Sequence, residues 1–179
     1  MADASIRVES LLLRRWVDAD LDEFSAMHAD VRVADWLGGV WDRSTCARVL
    51  STYEEEFSRS GVSPWCVVDV GLGEVVGCVG LRCLDGSLPV EATHELIWHL
   101  RPEHWGSGHA TVAARAALDA AATLVSQREV VAVTAVTNSR SRAVMARLGM
   151  GHSRDEDFDH PRLESTHPLH RHVVYRFDQ

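Results

Sequence analysis

The period of the apolar positions changes several times along the chain. IRVESLLLRRW (6–16) closes on a strand-like apolar run, and DADLDEFSAMHA after it repeats Leu21, Phe24 and Met27 at helical spacing behind Asp18, a candidate N-cap. A second helix is predicted over 43–59, where Val49, Leu50, Tyr53 and Phe57 recur at helical intervals. PWCVVDV and VVGCVGL are then β-branched runs joined by GLGE, the pattern of an antiparallel hairpin. In ATHELIWHL, His94, Leu96, Trp98 and Leu100 alternate with Thr93, Glu95, Ile97 and His99, so each set takes one face of a strand. An alanine-rich helix starting near Ser107 follows, then the strand EVVAVTAVT, the helix SRSRAVMARLG and a closing strand HVVYRF. The predicted fold class is α/β (α+β): a mixed central sheet flanked by helices.

Composition narrows what such a fold can serve. The chain has 179 residues, 46% of them apolar, enough for one core, with no repeat or linker to divide it, so residues 1–179 are expected to form a single domain. A net charge of −8 argues against a nucleic-acid partner, which needs a basic face, and suits an amine. Cys46, Cys66, Cys78 and Cys83 form no C-x-x-C pair, the N-terminus lacks a signal-peptide pattern, and Leu11–Leu13 is too short to span a bilayer. The expectation is a cytoplasmic protein with reduced thiols, without membrane attachment.

Chemistry enters at HWGSGHATVAARAAL (104–118). Gly106 and Gly108 stand between a strand and a helix start, where several N–H groups lack partners inside the helix and the dipole is positive. Glycine permits positive φ and close approach, so this mouth is a candidate cradle for an anion such as a pyrophosphate; an ordinary glycine turn is the alternative. A nucleoside-triphosphate loop is excluded because Gly108 is followed by His109, Ala110 and Thr111 with no lysine, and Thr111 stands where a dinucleotide fingerprint requires its third glycine.

Three motifs in order, HELIWHL, RPEHWGSGHA and NSRSRAVMARLGM, resemble the GNAT acetyltransferase superfamily, and within it the branch of ribosomal-protein N-terminal acetyltransferases, over nearly the whole chain. The resemblance implies a GNAT fold, mostly antiparallel with splayed central strands, and acetyl-coenzyme A as cofactor. Its pyrophosphate is expected on the N–H groups of Trp105, Gly106, Ser107, Gly108, His109, Ala110 and Thr111, and its pantetheine arm along Trp98, His99 and Leu100. Asn138 and Arg142 are further candidate cofactor contacts. Glu103 departs from the broad superfamily pattern, a change this branch tolerates, and the strand departs from the branch at Ile97 in place of glycine and at Trp98 in place of tyrosine; Ile97 is expected to narrow or redirect the pantetheine path.

Amine acetylation requires a proton to leave the amine, an oxyanion to be held and a thiolate to depart. Met145 stands where many superfamily members carry a tyrosine that protonates the sulfur. Ser141, one turn earlier on the same face, is the candidate replacement; alternatively it bonds locally in the first turn behind the N-cap Asn138. Glu95 and His160 are the candidate bases, each with a structural alternative, as a satisfied carboxylate and as a surface histidine. HPLHRH (167–172) lacks the partners of a metal site and reads as a strand-flanking cluster. Arg140, Arg142 and Arg147 read as a charged helix face, and EEEF (54–57) as an exposed one unless it borders the acceptor. Trp36 and Trp41 belong either to the acceptor pocket or to the core. The resemblance points to a protein or peptide N-terminus as acceptor, with a small amine (polyamine or aminoglycoside) or a non-catalytic acyl-coenzyme A binder as alternatives, and leaves a homodimer open.

Overall fold

In the computed structural model, which describes residues 5–177, strands β1 (Ser5–Val8) and β2 (Leu11–Arg14) form a hairpin where a single apolar run is expected. The turn lies at Glu9, a non-glycine residue at φ 51°, so no glycine or proline marked it. A single 3-10 turn (Asp18–Asp20) leads into α1 (Leu21–Ala29), and the carboxylate holding this start is Asp20 rather than Asp18. Asp20 is buried, accepts the Val17 N–H at 2.9 Å and pairs with Arg14 at 2.6 Å. The short α2 (Val31–Ala34) was not expected; the long α3 (Arg43–Ser60) was, capped by Asp42 at its start and by Gly61 at φ 75° at its end.

β3 (Trp65–Asp69) and β4 (Glu74–Cys83) form the predicted hairpin, and β5 (His94–Leu100) pairs antiparallel with β4. The alanine helix α4 (His109–Ala121) starts two residues later than expected. β6 (Val130–Ala135), α5 (Ser139–Leu148), β7 (Met150–His152), β8 (Phe158–Asp159) and β9 (Arg171–Phe177) complete the chain. One sheet takes the order β1-β2-β3-β4-β5-β6-β9-β7, with β8 also on β9. Among the described residues every pairing is antiparallel except β5 with β6.

The alternation along β5 sorts its side chains as the period-2 pattern predicts. Leu96 and Leu100 join the cluster formed with Ala113, Ala117 and Met145 of α4 and α5, and Trp98 packs against it. Ile97 joins Phe24, Met27, Leu50 and Tyr53 of α1 and α3 on the other face. Ile97 is buried in that packing, with an edge left on the groove described next. The four cysteines are free thiols, and among the described residues no helix is long and apolar enough to cross a membrane.

Candidate active site

The one parallel pairing is short. β5 and β6 meet only at His94 with Val130 and at Glu95 with Val131; beyond that they part, while β4 stays on the outer edge of β5 as far as Leu100. The Arg101 N–H bonds Val76 O at 3.0 Å, which sets the antiparallel alternation: the backbone groups of Ile97 and His99 face β4, and those of Leu96, Trp98 and Leu100 face the opening. A groove of about 1190 Å³ runs through this opening from the start of α4 to the loops around Trp36 and His160.

At the α4 end, Gly106 and Gly108 have φ 79° and 90°, and Gly108 is the N-cap. Among the described residues, no acceptor is found for the N–H groups of Gly106, Ser107, Gly108, His109 and Ala110. The expected row is trimmed at both ends, because the Trp105 N–H is spent on Pro102 O and the Thr111 N–H on Gly108 O. His109 Nδ1 and Thr111 Oγ1 are buried there without a partner. Five open amides at a positive helix end, beside two orphaned polar atoms, fit a diphosphate. Arg140, 4.9 Å above the Trp105 ring, and Arg147 line the same groove. Arg142 does not: it donates to Tyr175 Oη and to Val136 O, which corrects its place among the cofactor contacts.

Along β5, the Leu100 carbonyl accepts the Trp105 indole N–H at 2.8 Å, leaving Leu96 and Trp98 to offer backbone groups to a ligand. The Trp98 indole crosses to α5 and donates to Ser141 Oγ at 3.2 Å. The Ser141 N–H bonds Asn138 Oδ1, so Asn138 is the cap, while the Ser141 hydroxyl is taken by Trp98 rather than by local backbone and keeps its own proton to donate. Both Asn138 and Ser141 line the groove.

The opposite face of β5 carries Glu95 and His99. Glu95 is buried, and Oε2 receives Arg82 Nε at 2.8 Å and a second Arg82 nitrogen. His99, expected to contact the pantetheine arm, has its backbone on β4 and sends its ring to α1, where Nδ1 lies 3.1 Å from His28 Nε2. His28 is fully buried, with Nδ1 2.8 Å from Phe24 O and Trp41 stacked on its ring at 4.5 Å. His28 belongs to the site through a partner 71 residues away, so no local spacing could have revealed it. His160 also lines the groove; its Nδ1 accepts the Arg162 N–H at 3.3 Å. Leu163 and Gly38 bring the His160 loop against the Trp36–Trp41 loop: a Cβ on Gly38 would lie 3.9 Å from Leu163 Cδ2. Trp36 and Trp41 therefore line the groove, and Trp41 also packs in the core.

Burial holds His28 well below its usual range, at about 4, and pushes His99 down as well. A histidine depressed in the folded state leaves stability intact above its unfolded value of 6.5; below that the unfolded chain takes up the proton first and stability falls until the folded value is passed. For His28 alone the loss between pH 6.5 and 4 is about 3 kcal/mol. The urea midpoint is expected to fall over this window, and less so in His28→Gln; equal acid sensitivity in the two proteins would refute this assignment.

A family model described as the acetyltransferase (GNAT) domain matches residues 10–151. Among solved structures, the chain is similar to an acetyltransferase from Agrobacterium tumefaciens (25% identity, TM-score 0.78, covering 100% of this chain and 96% of that one). It is also similar in fold to the ribosomal-protein-S5-alanine acetyltransferase from Vibrio fischeri (18%, 0.74, 97% and 95%). A third is Mycobacterium smegmatis RimJ, solved with CoA-disulfide (22%, 0.71, 97% and 85%). With the domain matched over most of its length and the parted strands and open amides of a coenzyme A site in its fold, the chain belongs to the GNAT acetyltransferase family and uses acetyl-coenzyme A as donor.

Proposed function

We propose that the chain acetylates the N-terminal α-amine of a protein or peptide, in the manner of the ribosomal-protein branch. Two of the similar structures carry names from that branch, the S5-alanine enzyme and RimJ. The observation that carries the choice of acceptor is electrostatic. Glu95 is the one carboxylate among the described groove-lining residues, and Arg82 already holds it. A polyamine or aminoglycoside brings several cations and needs several unmatched carboxylates to receive them; a peptide N-terminus brings one amine, which reacts neutral. The glutamates at 54–56, once a candidate acidic wall, do not line the groove, and Glu54 pairs with Arg15.

When bound, acetyl-coenzyme A supplies a thioester carbonyl open to attack. The amides of Gly106 to Ala110 receive the diphosphate, Arg140 and Arg147 add cationic charge, and Leu96 and Trp98 offer backbone groups to the arm. Trp98 aims Ser141, whose hydroxyl proton is donated toward the departing sulfur. Proton removal from the amine belongs to the other face of β5, with Glu95 and His160 as the bases suggested by sequence.

Thiol release with a panel of peptides, polyamines and aminoglycosides tests the acceptor class. Peptides are expected to be turned over with the highest kcat/KM; preferred polycations would overturn the choice, and binding of coenzyme A without release from any amine would leave only the non-catalytic binder. Ser141→Ala is expected to lower kcat about tenfold to hundredfold while the KM for acetyl-coenzyme A stays within about twofold. An unchanged kcat would remove Ser141 from the chemistry.

A further inference from the structure

We propose that His99, fixed in one tautomer by His28, accepts the proton of the attacking amine; the proposal rests on the amine-acetylation reading above. The hydrogen bonds dictate the tautomers. Phe24 O can only accept, so His28 Nδ1 carries a proton and its Nε2, in the neutral ring, carries a lone pair. That lone pair receives the His99 Nδ1 proton across 3.1 Å, which leaves His99 Nε2 as the proton acceptor. No described residue bonds Nε2, and His99 lines the groove.

The other two candidate bases have their acceptor atoms engaged. His160 Nδ1 spends its lone pair on the Arg162 N–H, so the neutral ring holds its proton on Nε2 and can only donate from there. Glu95 presents Oε2 to two nitrogens of Arg82 and serves as an anchored carboxylate. The titratable groups facing the His99 ring, His28 from α1 and Arg82 and Cys78 from β4, include no anion to hold it as imidazolium, and Glu95, four residues back on the same face, is paired with Arg82. Burial, His28 and Arg82 all favour the neutral ring.

His99 and Trp98 are consecutive and point to opposite faces of the strand edge that borders the cleft, Trp98 holding Ser141 on one side and His99 facing the acceptor side on the other. The amine nitrogen bonds the acetyl carbon, the carbon–sulfur bond breaks, and the departing thiolate takes a hydrogen bond from Ser141. The amine proton passes to His99 Nε2 and from there to groove water and the thiolate. The products are a neutral amide and a thiol, and His99 returns to its starting tautomer.

Two measurements test this. In the unliganded protein, long-range ¹H–¹⁵N NMR of the imidazoles is expected to show His99 protonated on Nδ1 and bare on Nε2; a proton on Nε2 overturns the proposal without reference to activity. In kinetics, His99→Gln is expected to lower kcat about hundredfold with the Kd of coenzyme A within twofold, which also certifies the fold. His28→Leu removes the acceptor of the Nδ1 proton and is expected to lower kcat about tenfold, while His28→Gln, whose side-chain oxygen can take that place, recovers most of it. Turnover by His99→Gln equal to the parent, or a hundredfold loss confined to Glu95→Gln, overturns the assignment. Failure of the parent to acetylate any amine would instead remove the reading on which it rests, and the proposal with it.

Discussion

Gly108→Trp is expected to raise the Kd of coenzyme A about hundredfold. Gly108 is the N-cap of α4 at φ 90°, and a Cβ built on it meets nothing within 4 Å. The fold therefore has room for a side chain, and the backbone strain costs about 1 kcal/mol. An indole at this point stands among the open amides of Gly106 to Ala110 and displaces the diphosphate from them. Losing two charge-assisted hydrogen bonds of about 1.5 kcal/mol each amounts to roughly a hundredfold in affinity. Gly108→Ala separates blocking from strain, since it shares the φ but adds only a methyl, and is expected to change the Kd a few-fold. Calorimetry with coenzyme A decides the matter: an unchanged Kd in the tryptophan variant would show that the ligand does not use these amides.

The largest loss of stability is expected at a different glycine. Gly77 of β4 faces Leu100 of β5, and a Cβ there would lie 2.3 Å from Leu100 Cδ2, 2.4 Å from His99 O and 3.0 Å from Leu100 Cα. A side-chain methyl can turn aside, but the carbonyl and the Cα belong to the backbone, so β4 and β5 must part for the substitution to fit. Gly77→Val is expected to cost about 3 kcal/mol or more, read as a lower urea midpoint. Gly73→Ala provides the contrast: its φ is 71°, nothing lies within 4 Å, and the cost is that of the backbone conformation alone, about 1 kcal/mol. Equal midpoints for the two variants would contradict the close approach at Gly77. Because His99 and Leu100 border the groove, surviving Gly77→Val protein should also bind coenzyme A more weakly.

What the sequence disclosed follows from the range of each signal. Period-2 alternation is local, and it sorted Leu96, Trp98 and Leu100 from Ile97 on the two faces of β5 correctly. The glycine pair before α4 was legible for the same reason: positive φ is a property of the residue itself. The β1–β2 hairpin was missed because Glu9 makes the turn without glycine or proline, between Val8 and Ser10, and so carries no turn signal of its own. On α5 the sequence named three arginines but could not fix the phase of the helix, and the structure turns Arg142 to Tyr175 while Arg140 and Arg147 line the groove. Hardest to read were pairings created by the fold alone, His28 with His99 and Arg82 with Glu95, which changed His99 from a backbone contact into an acceptor-side ring and Glu95 from a lone carboxylate into half of an ion pair.

The early parting of β5 and β6 leaves a gap in the middle of the sheet, after two matched residue pairs. Donors and acceptors along both rims are wetted there until a guest arrives, and a guest with amide groups of its own can stand in for the absent rung of the ladder. Ligand capture and closure of the seam are then one event, so deuterium uptake at Trp98 should slow when the carrier is present and the whole domain should melt later. The same gap lies in the interior of the sheet, with helices packed on both faces of β5, which keeps a foreign strand from zipping onto it while a slender acyl carrier can slide in.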